Sequence, residues 1–594
     1  MVNIPDFKKI PNKNAKFNQK EFYEDNFEKT KVFAQEVSAQ LAETDQRIDN
    51  IVTTPVPVGE IIAQEIVDAR QGALSVGANI TDVKSLLAQT MNKIIREYSV
   101  LNDGALGDGV TDDTSAIQQT IDTASLNGGG IVDVPASPNP YMISSTSLNL
   151  KDNVYLRLQH GATLKMITNG LSNYQVVNIR NIKNSGILGS GTIEGDRVTH
   201  TGTSGEHGHG VYIGNSKNID IDPITVKDCW GDGVYIGDSG LNENITIKSI
   251  TCDNNRRQGM SVTNVDGLRM VNPKLINTNG ASPEAGLDIE PNFSTDIIKN
   301  VKIINPYTSN NNHSGIIIAL SKLNSGEIDI DILNHIDDGS NNGLTVNKTA
   351  GGFKGRILIE KPLYKNNGNN GLQIRDYDIS APLIIINQPT IINANKLGST
   401  FLQYGCGIAV YKEASDNLSS VIGNVKITNP IIEDDNGLML RSMLFRDYTG
   451  QLVDKCIVEN PLKISGLTSK LSAWGNVHVD DKFKQIHFID QYGTEVLSKS
   501  VMHRSISNDL YQTTRTVTFK DKFSIGNTIT FESVLGSPIG MRIKPYTGEE
   551  FLIVGNGVDK YIQCFQKGGS ITLKKVSDNE WVPTQIIGSW TSEA

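Results

Sequence analysis

A glycine followed by an apolar–x–apolar triplet recurs nine times through the middle of the chain, and no other feature limits the fold as much. It occurs at Gly210 (GVYI), Gly233 (GVYI), Gly259 (GMSV), Gly286 (GLDI), Gly315 (GIII), Gly343 (GLTV), Gly371 (GLQI), Gly407 (GIAV) and Gly437 (GLML), at intervals of 23, 26, 27, 29, 28, 28, 36 and 30 residues. A second signature falls between these: NIDIDPITV from Asn218, NITIKSITC from Asn244, NVKIINPYT from Asn300 and NVKITNPII from Asn424. Each reads as strand, turn, strand, so one repeat holds about three short strands with Asn, Asp, Gly or Pro at the corners. Such a unit cannot bury its apolar face alone, and stacking copies of it does. Leucine-rich spacing with helices is absent, and a propeller blade is longer. The reading that fits is a right-handed parallel β-helix, in which nine rungs at about 4.8 Å each span roughly 43 Å. The leading glycine of each rung is expected at a tight corner that demands positive φ.

Around this solenoid the chain divides in three. Residues 1–97 read as a helical, coiled-coil stalk. Phe27, Thr30, Ala34, Val37, Leu41, Thr44, Ile48 and Ile51 follow a heptad seam, and Ile80, Val83, Leu87, Thr90 and Ile94 follow a second. Two amphipathic helices packed within one monomer would show the same spacing. An oligomeric stalk suits a solenoid better, and a parallel homotrimer is expected. Residues 98–475 form the β-helix, opened by a short amphipathic helix over 113–126 with Asp113 as N-cap. That helix would cover the unpaired backbone of the first rung. Residues 476–594 (TRTVTFKD, NTITFESV, SITLKKV) alternate like hairpins and suggest a C-terminal antiparallel sandwich or barrel. The fold class is mainly β.

Composition closes off several functions. The chain carries a net charge of −10 without basic blocks, which argues against a nucleic-acid partner. Its five cysteines (Cys229, Cys252, Cys406, Cys456, Cys564) are scattered, so neither a disulfide framework nor a zinc site is suggested. The opening MVNIPDFKKIPNK lacks a signal-peptide core and no long apolar run follows, so synthesis in a cytoplasm and no membrane insertion are expected.

Strand alternation decides which side chains leave the core. Aligned rungs give an outward, solvent-facing column of Tyr212, Tyr235, Ser261, Asp288, Ile317, Thr345 and Gln373. Two residues on come Gly214, Gly237, Thr263, Glu290, Ala319, Asn347 and Arg375, and just before each glycine come His209, Asp232, Gln258, Ala285, Ser314, Asn342 and Asn370. The first four rungs thus gather Tyr, His and carboxylates, whereas later rungs carry Asn, Thr and Ala. Asp288 and Glu290, roughly 6.6 Å apart at Cα on one side of a strand, are candidates for general acid and base in glycoside cleavage. Asp232 would join them from two rungs earlier, unless it merely shapes a Gly turn. Beside Asp232, His209 is expected to hold its imidazolium form. Glu206, His207 and His209 could hold a metal or belong to a surface loop. Tyr212 and Tyr235 offer sugar-stacking rings, and Trp230 could add to them or close a corner against the core. Arg256 or Arg257 could bind a phosphate or uronate, or Arg257 could pair with Glu284. Asp108, Asp112 and Asp113 resemble calcium ligands in composition, but cap and turn roles account for them, and no cofactor is required.

The segment GALGDGVTDDTSAIQQTID, from Gly104 to Asp122, resembles the N-terminal signature of the pectate-lyase-like superfamily found in phage tail spikes and depolymerases, where it caps the β-helix. The rungs WGDGVYIG, NRRQGMSV and AGLDIEPN are similar to those of spikes from phages of Gram-positive hosts, and EIVDARQGALSVG around Asp68 and Arg70 resembles a linker of their tail proteins. The trimeric appendage spikes of small Bacillus podoviruses are of this kind. The resemblance implies a virion protein that meets a host cell-surface polysaccharide or wall teichoic acid and attaches to phage tail or connector proteins through its N-terminus. It admits a depolymerase or a non-enzymatic adhesin tail fibre. A calcium-dependent lyase would want a denser Asp cluster beside the arginine, so hydrolysis is favoured over elimination.

Overall fold

The computed structural model describes residues 96–593, with breaks at 350, 414–420 and 448–452 and a series of short breaks between 461 and 555. The heptad seams lie outside the described residues. Within them the chain is almost wholly strand, and the strands recur in threes. One sheet of 14 strands runs from Glu97–Ser99 to Gly475–Asp480, and a second of 12 runs from Tyr141–Ile143 to Lys463–Ile464. A third contains His207–Gly214, Val234–Ile236, Gln258–Val262, Ala285–Ile289 and Ser314–Ala319. Each strand pairs in parallel with its counterpart one turn later, an arrangement consistent with a right-handed parallel β-helix.

Alternation supplies the core. In successive strands Val234 and Ile236, Ile245 and Ile247, Met260 and Val262, and Leu268 and Met270 point inward and are buried. Each contributes on the order of 1.5–3 kcal/mol of transfer free energy. Cys252 is buried in the same layer as Val226 and Leu275, with which its strand pairs, and acts there as a small apolar side chain.

The corners differ from expectation in a way that explains the sequence. Asn218, Asn244, Asn300 and Asn424, the heads of the second signature, all sit at φ between 53° and 60°. Asparagine tolerates this region, and its amides ladder from turn to turn: Asn218 Nδ2 donates to Asn184 Oδ1 at 2.9 Å and Asn244 Nδ2 to Asn218 Oδ1 at 3.2 Å. The repeat glycines Gly233 and Gly286 are not at positive φ. They are glycine for want of room. A Cβ on Gly233 would stand 2.7 Å from Gly259 O, and one on Gly286 would stand 2.6 Å from Gly315 O. Gly437 is not a member of this column. Ile408 pairs with Met443, so Ser442 occupies the glycine position and GLML lies before the strand.

At the N-terminal end, helix α1 (Thr114–Leu126) buries Ile117, Ile121 and Ala124 in the core. Asp113 precedes it but does not cap it through its side chain. Its carboxylate accepts the N–H groups of Leu106 at 2.6 Å and Gly107 at 3.2 Å, while Asp112 Oδ1 accepts Thr114 N–H at 3.0 Å. Asp108 accepts the N–H groups of Val110 and Thr111. All three carboxylates are thus engaged by local backbone.

Beyond residue 475 the parallel order persists. His487–Ile489, His503–Ser507 and Thr528–Ser533 continue the third sheet, and Thr494–Leu497, Arg515–Phe519 and Met541–Lys544 pair in parallel beside them. Among the described residues beyond 475, antiparallel pairing begins where Thr528–Ser533 meets Gly569–Lys575 and Met541–Lys544 meets Ile562–Cys564. The expected antiparallel domain over 476–594 therefore starts later. The alternation of TRTVTF and NTITFES reads alike for parallel and antiparallel strands.

Candidate functional site

The third sheet pairs Tyr212 with Tyr235, Tyr235 with Ser261, Ser261 with Asp288, Asp288 with Ile317, Ile317 with Thr345 and Thr345 with Gln373. The column expected from rung alignment is present, but it is not a solvent face. Ser261, Asp288, Ile317, Thr345 and Gln373 are all buried. Inter-strand loops fold back over the sheet: Asn292 Nδ2 donates to the Tyr235 hydroxyl at 3.0 Å, and Asn370 Nδ2 donates to Gln403 O at 2.7 Å.

Under that cover the acidic candidates meet. Arg257 Nη1 lies 3.3 Å from both oxygens of Asp232, and Ser261 Oγ donates to Asp232 Oδ2 at 2.9 Å. Arg257 Nε also faces Glu206 Oε2 at 3.2 Å, so its ion-pair partners are Asp232 and Glu206 and not Glu284. Asp288 Oδ2 accepts Gln258 Nε2 at 2.8 Å, and Gln258 Oε1 accepts the Ala285 N–H at 2.8 Å, which fixes the amide's orientation. Asp288 Oδ1 is buried without a hydrogen-bond partner. Burial, followed by the adjacent Glu290 charge, holds the Asp288 carboxyl well above the usual carboxylate range, against the pull of Arg257. That shift favours the protonated form of Asp288. Because Oδ2 accepts from Gln258, Oδ1 is the atom to carry the proton. Asp288 is 2% exposed, whereas Glu290, at the strand end, is half-buried and open to one side.

His209 departs from expectation. Its Nδ1 accepts the Asp232 N–H at 3.2 Å and lies 3.7 Å from Asp232 Oδ2. Desolvation outweighs the attraction of Asp232 and pushes the imidazole down to about 4, so the ring is neutral with its proton on Nε2. It stacks on Tyr235 at 5.2 Å, Tyr235 stacks on Tyr212 at 5.0 Å, and the Arg180 guanidinium covers Tyr212 at 4.2 Å. Arg180 was not legible as a member. It pairs with Gly214 one turn before the repeat becomes recognisable, and extending the register back by one turn would have found it.

Trp230 does not join the tyrosines. It lies between the His200 ring at 4.1 Å and the Arg256 guanidinium at 3.8 Å. His200 Nδ1 approaches Asp196 Oδ2 at 3.0 Å, and the Tyr174 hydroxyl donates to Asp196 Oδ1. This stack locks the loop after Thr192–Glu194, and that loop carries Glu206 to Arg257. His207, the first residue of the strand that follows, is exposed. Among the described residues no group of three His, Cys, Asp or Glu side chains is placed to hold a metal ion.

No family model matches the chain. It is 30% identical over 224 residues to the uncharacterized protein YclG of Bacillus subtilis, covering 32% of this chain and 38% of that one. It is 25% identical over 233 residues to the SPbeta prophage-derived uncharacterized protein YorA of the same species, covering 34% and 39%. The chain thus spans under two-fifths of the length of these relatives. Among solved structures, the A-module of mannuronan C-5 epimerase AlgE4 from Azotobacter vinelandii superposes with a TM-score of 0.50 at 18% identity, over 65% of this chain and all of that one. That likeness shows the fold alone.

Proposed function

We propose that this protein is a phage tail spike whose third sheet binds and depolymerises a host cell-surface glycan or wall teichoic acid by hydrolysis. The observation that carries the reading is Asp288: a buried carboxyl, beside Glu290, whose surroundings favour its protonated form. In this mechanism the carboxyl pair delivers a proton to the leaving oxygen of the scissile bond. At a glycosidic bond the C–O bond breaks, a water adds to the freed carbon and its proton returns to the pair; at a phosphodiester the water adds to phosphorus and the P–O bond breaks, so either reaction consumes one water. Arg257 and Asp232 fix the charge beside the pair, and Tyr212 and Tyr235 present rings to a sugar. Similarity to a prophage-derived protein supports a viral source, and 30% identity over 178 residues to mannuronan C5-epimerase AlgE4 of Azotobacter vinelandii supports a polysaccharide on this face. In this reading residues 1–97 attach the spike to the tail or connector of the virion, and 98–475 meet the polymer. Incubating the purified protein with cell-wall polymers of Gram-positive hosts and measuring chain length tests it. Shortened products that disappear in Asp288→Asn support it, and intact polymers throughout refute it.

A second reading, a spike that only adheres, has its own support. Asp288 is 2% exposed, whereas Tyr212 and Tyr235 remain open enough to meet a ring. It predicts tight retention of a polymer that never shortens.

A further inference from the structure

Two guanidiniums converge at the corner that leads into the third sheet. A Cβ added to Gly280, at φ 117°, would lie 3.2 Å from Arg256 Cγ and 3.4 Å from Arg197 Nη2, so both arginines flank that glycine. Neither meets a carboxylate within ion-pair distance among the described residues. Arg197 Nη1 donates to Asn254 O at 2.7 Å and Asn254 Oδ1 at 3.0 Å, and its Nη2 donates to Asn279 Oδ1 at 2.8 Å. Arg256 Nη1 donates to Gly205 O and Trp230 O, both at 3.0 Å.

The neighbouring carboxylates are committed elsewhere. Glu206 faces Arg257. Glu284 accepts the Gly280 N–H at 2.6 Å and Asn312 Nδ2 at 2.7 Å. Asp228 accepts Asn254 Nδ2 at 2.6 Å and faces Lys227 at 3.4 Å. Burial disfavours both cations, and the charge of Arg256 adds to this for Arg197; the charges of Asp228 and Glu284 on Arg197 and of Glu206 on Arg256 offset it only in part. A pair of half-buried, like-charged groups held by neutral carbonyls, with unused N–H donors, is short of an anion.

We infer that Arg197 and Arg256 form an oxyanion-binding subsite at the Gly280 corner, which takes a carboxylate or phosphate group repeated along an anionic polymer. The Trp230 ring beneath Arg256 gives it an apolar floor. As a polymer subsite it rests on the reading that the adjacent sheet meets a glycan, but the binding of an anion there does not.

The experiment is calorimetric titration of the full chain at low ionic strength with inorganic phosphate and with galacturonate, followed by affinity electrophoresis through polyglycerol phosphate, polygalacturonate and neutral dextran. Arg197→Gln and Arg256→Gln should each weaken binding at least ten-fold. Arg356→Gln, on the first sheet and already paired with Asp329 and Asp331, should leave it unchanged. Retardation by one anionic polymer and not the other identifies the group as phosphate or carboxylate. Arg197→Gln leaves the Arg256 contacts to Gly205 O and Trp230 O in place, so it keeps the test valid if Arg256→Gln misfolds. No binding by wild type, or wild-type binding by folded Arg197→Gln, overturns the subsite. Anion binding without any polymer cleavage upholds the subsite and sinks the hydrolase instead.

Discussion

Asp288 and Glu290 share one strand face, yet their surroundings divide their roles. Asp288 is sealed under the loops with Gln258 at one oxygen, and Glu290 is reachable. If the pair moves protons, Asp288→Asn and Glu290→Gln should each lower turnover by about 10²–10⁴ with binding changed only several-fold, since an amide keeps the shape but carries no proton. Because the working form of Asp288 is protonated, wild-type turnover should decline as pH rises through its elevated pKa. A rate that climbs steadily with pH would place the acid elsewhere. His209 makes a stability prediction of definite sign. Its folded value of about 4 lies below the ordinary 6.5, so the unfolded chain takes up the proton first as pH falls. The stability linked to this group is complete above about pH 6.5 and is lost progressively down to about pH 4, on the order of 3 kcal/mol in all. Denaturant titrations of His209→Gln should show that slope removed relative to wild type. Parallel pH profiles for the two proteins would mean that the ring titrates normally.

At the scale of the element, the glycine column separates two explanations that the sequence could not. A corner that needs positive φ would tolerate asparagine, whereas a column that lacks room tolerates nothing with a Cβ. Gly286→Ala and Gly233→Ala should each cost about 1–3 kcal/mol by forcing adjacent rungs apart, and valine more. Gly557, which has open space where a Cβ would go, should accept alanine with little change. Thermal melts check this, and an unchanged melting temperature in both rung variants would rule out the close stacking of Gly233 on Gly259 and of Gly286 on Gly315. The rung register was legible because a strand has period two and each rung repeats the same three strands, so Tyr212, Tyr235, Ser261 and Asp288 aligned without a structure. The cover over that column was not legible. The loops that bring Asn292 to Tyr235 and Gln403 to Asn370 have no period, and neither does the Tyr174–His200–Trp230 stack. Sequence left Trp230 open between joining the tyrosines and closing a corner, and the structure packs its ring on His200. Gly437 misled for a related reason: it begins a GLML pattern in a turn, and only pairing with Ile408 shows the strand to lie at Met443.

For the whole molecule, Glu97–Ser99 is the first strand of the solenoid among the described residues. It pairs with Ile131–Asp133, and Arg157 ties it down with a two-point contact to Glu97 at 2.9 and 3.0 Å while reaching Asp133 at 2.6 Å. A chain that starts at Arg96 retains this strand and the α1 cap, so it should fold, melt near the intact protein and keep polymer binding. One that starts at Gly104 lacks the strand, leaves the edge of Gly130–Val134 unpaired and should lose stability or aggregate. The two heptad seams lie upstream of both cuts, so the full chain is expected to associate through them: light scattering at micromolar concentration should return three times the 64.7 kDa chain mass. A monomer mass would sink the trimer and leave the solenoid untouched. A well-folded chain from Arg96 that no longer holds the polymer would instead show that binding needs the first 95 residues or a groove between subunits. The division into an attachment segment and a polymer-meeting solenoid would then fail.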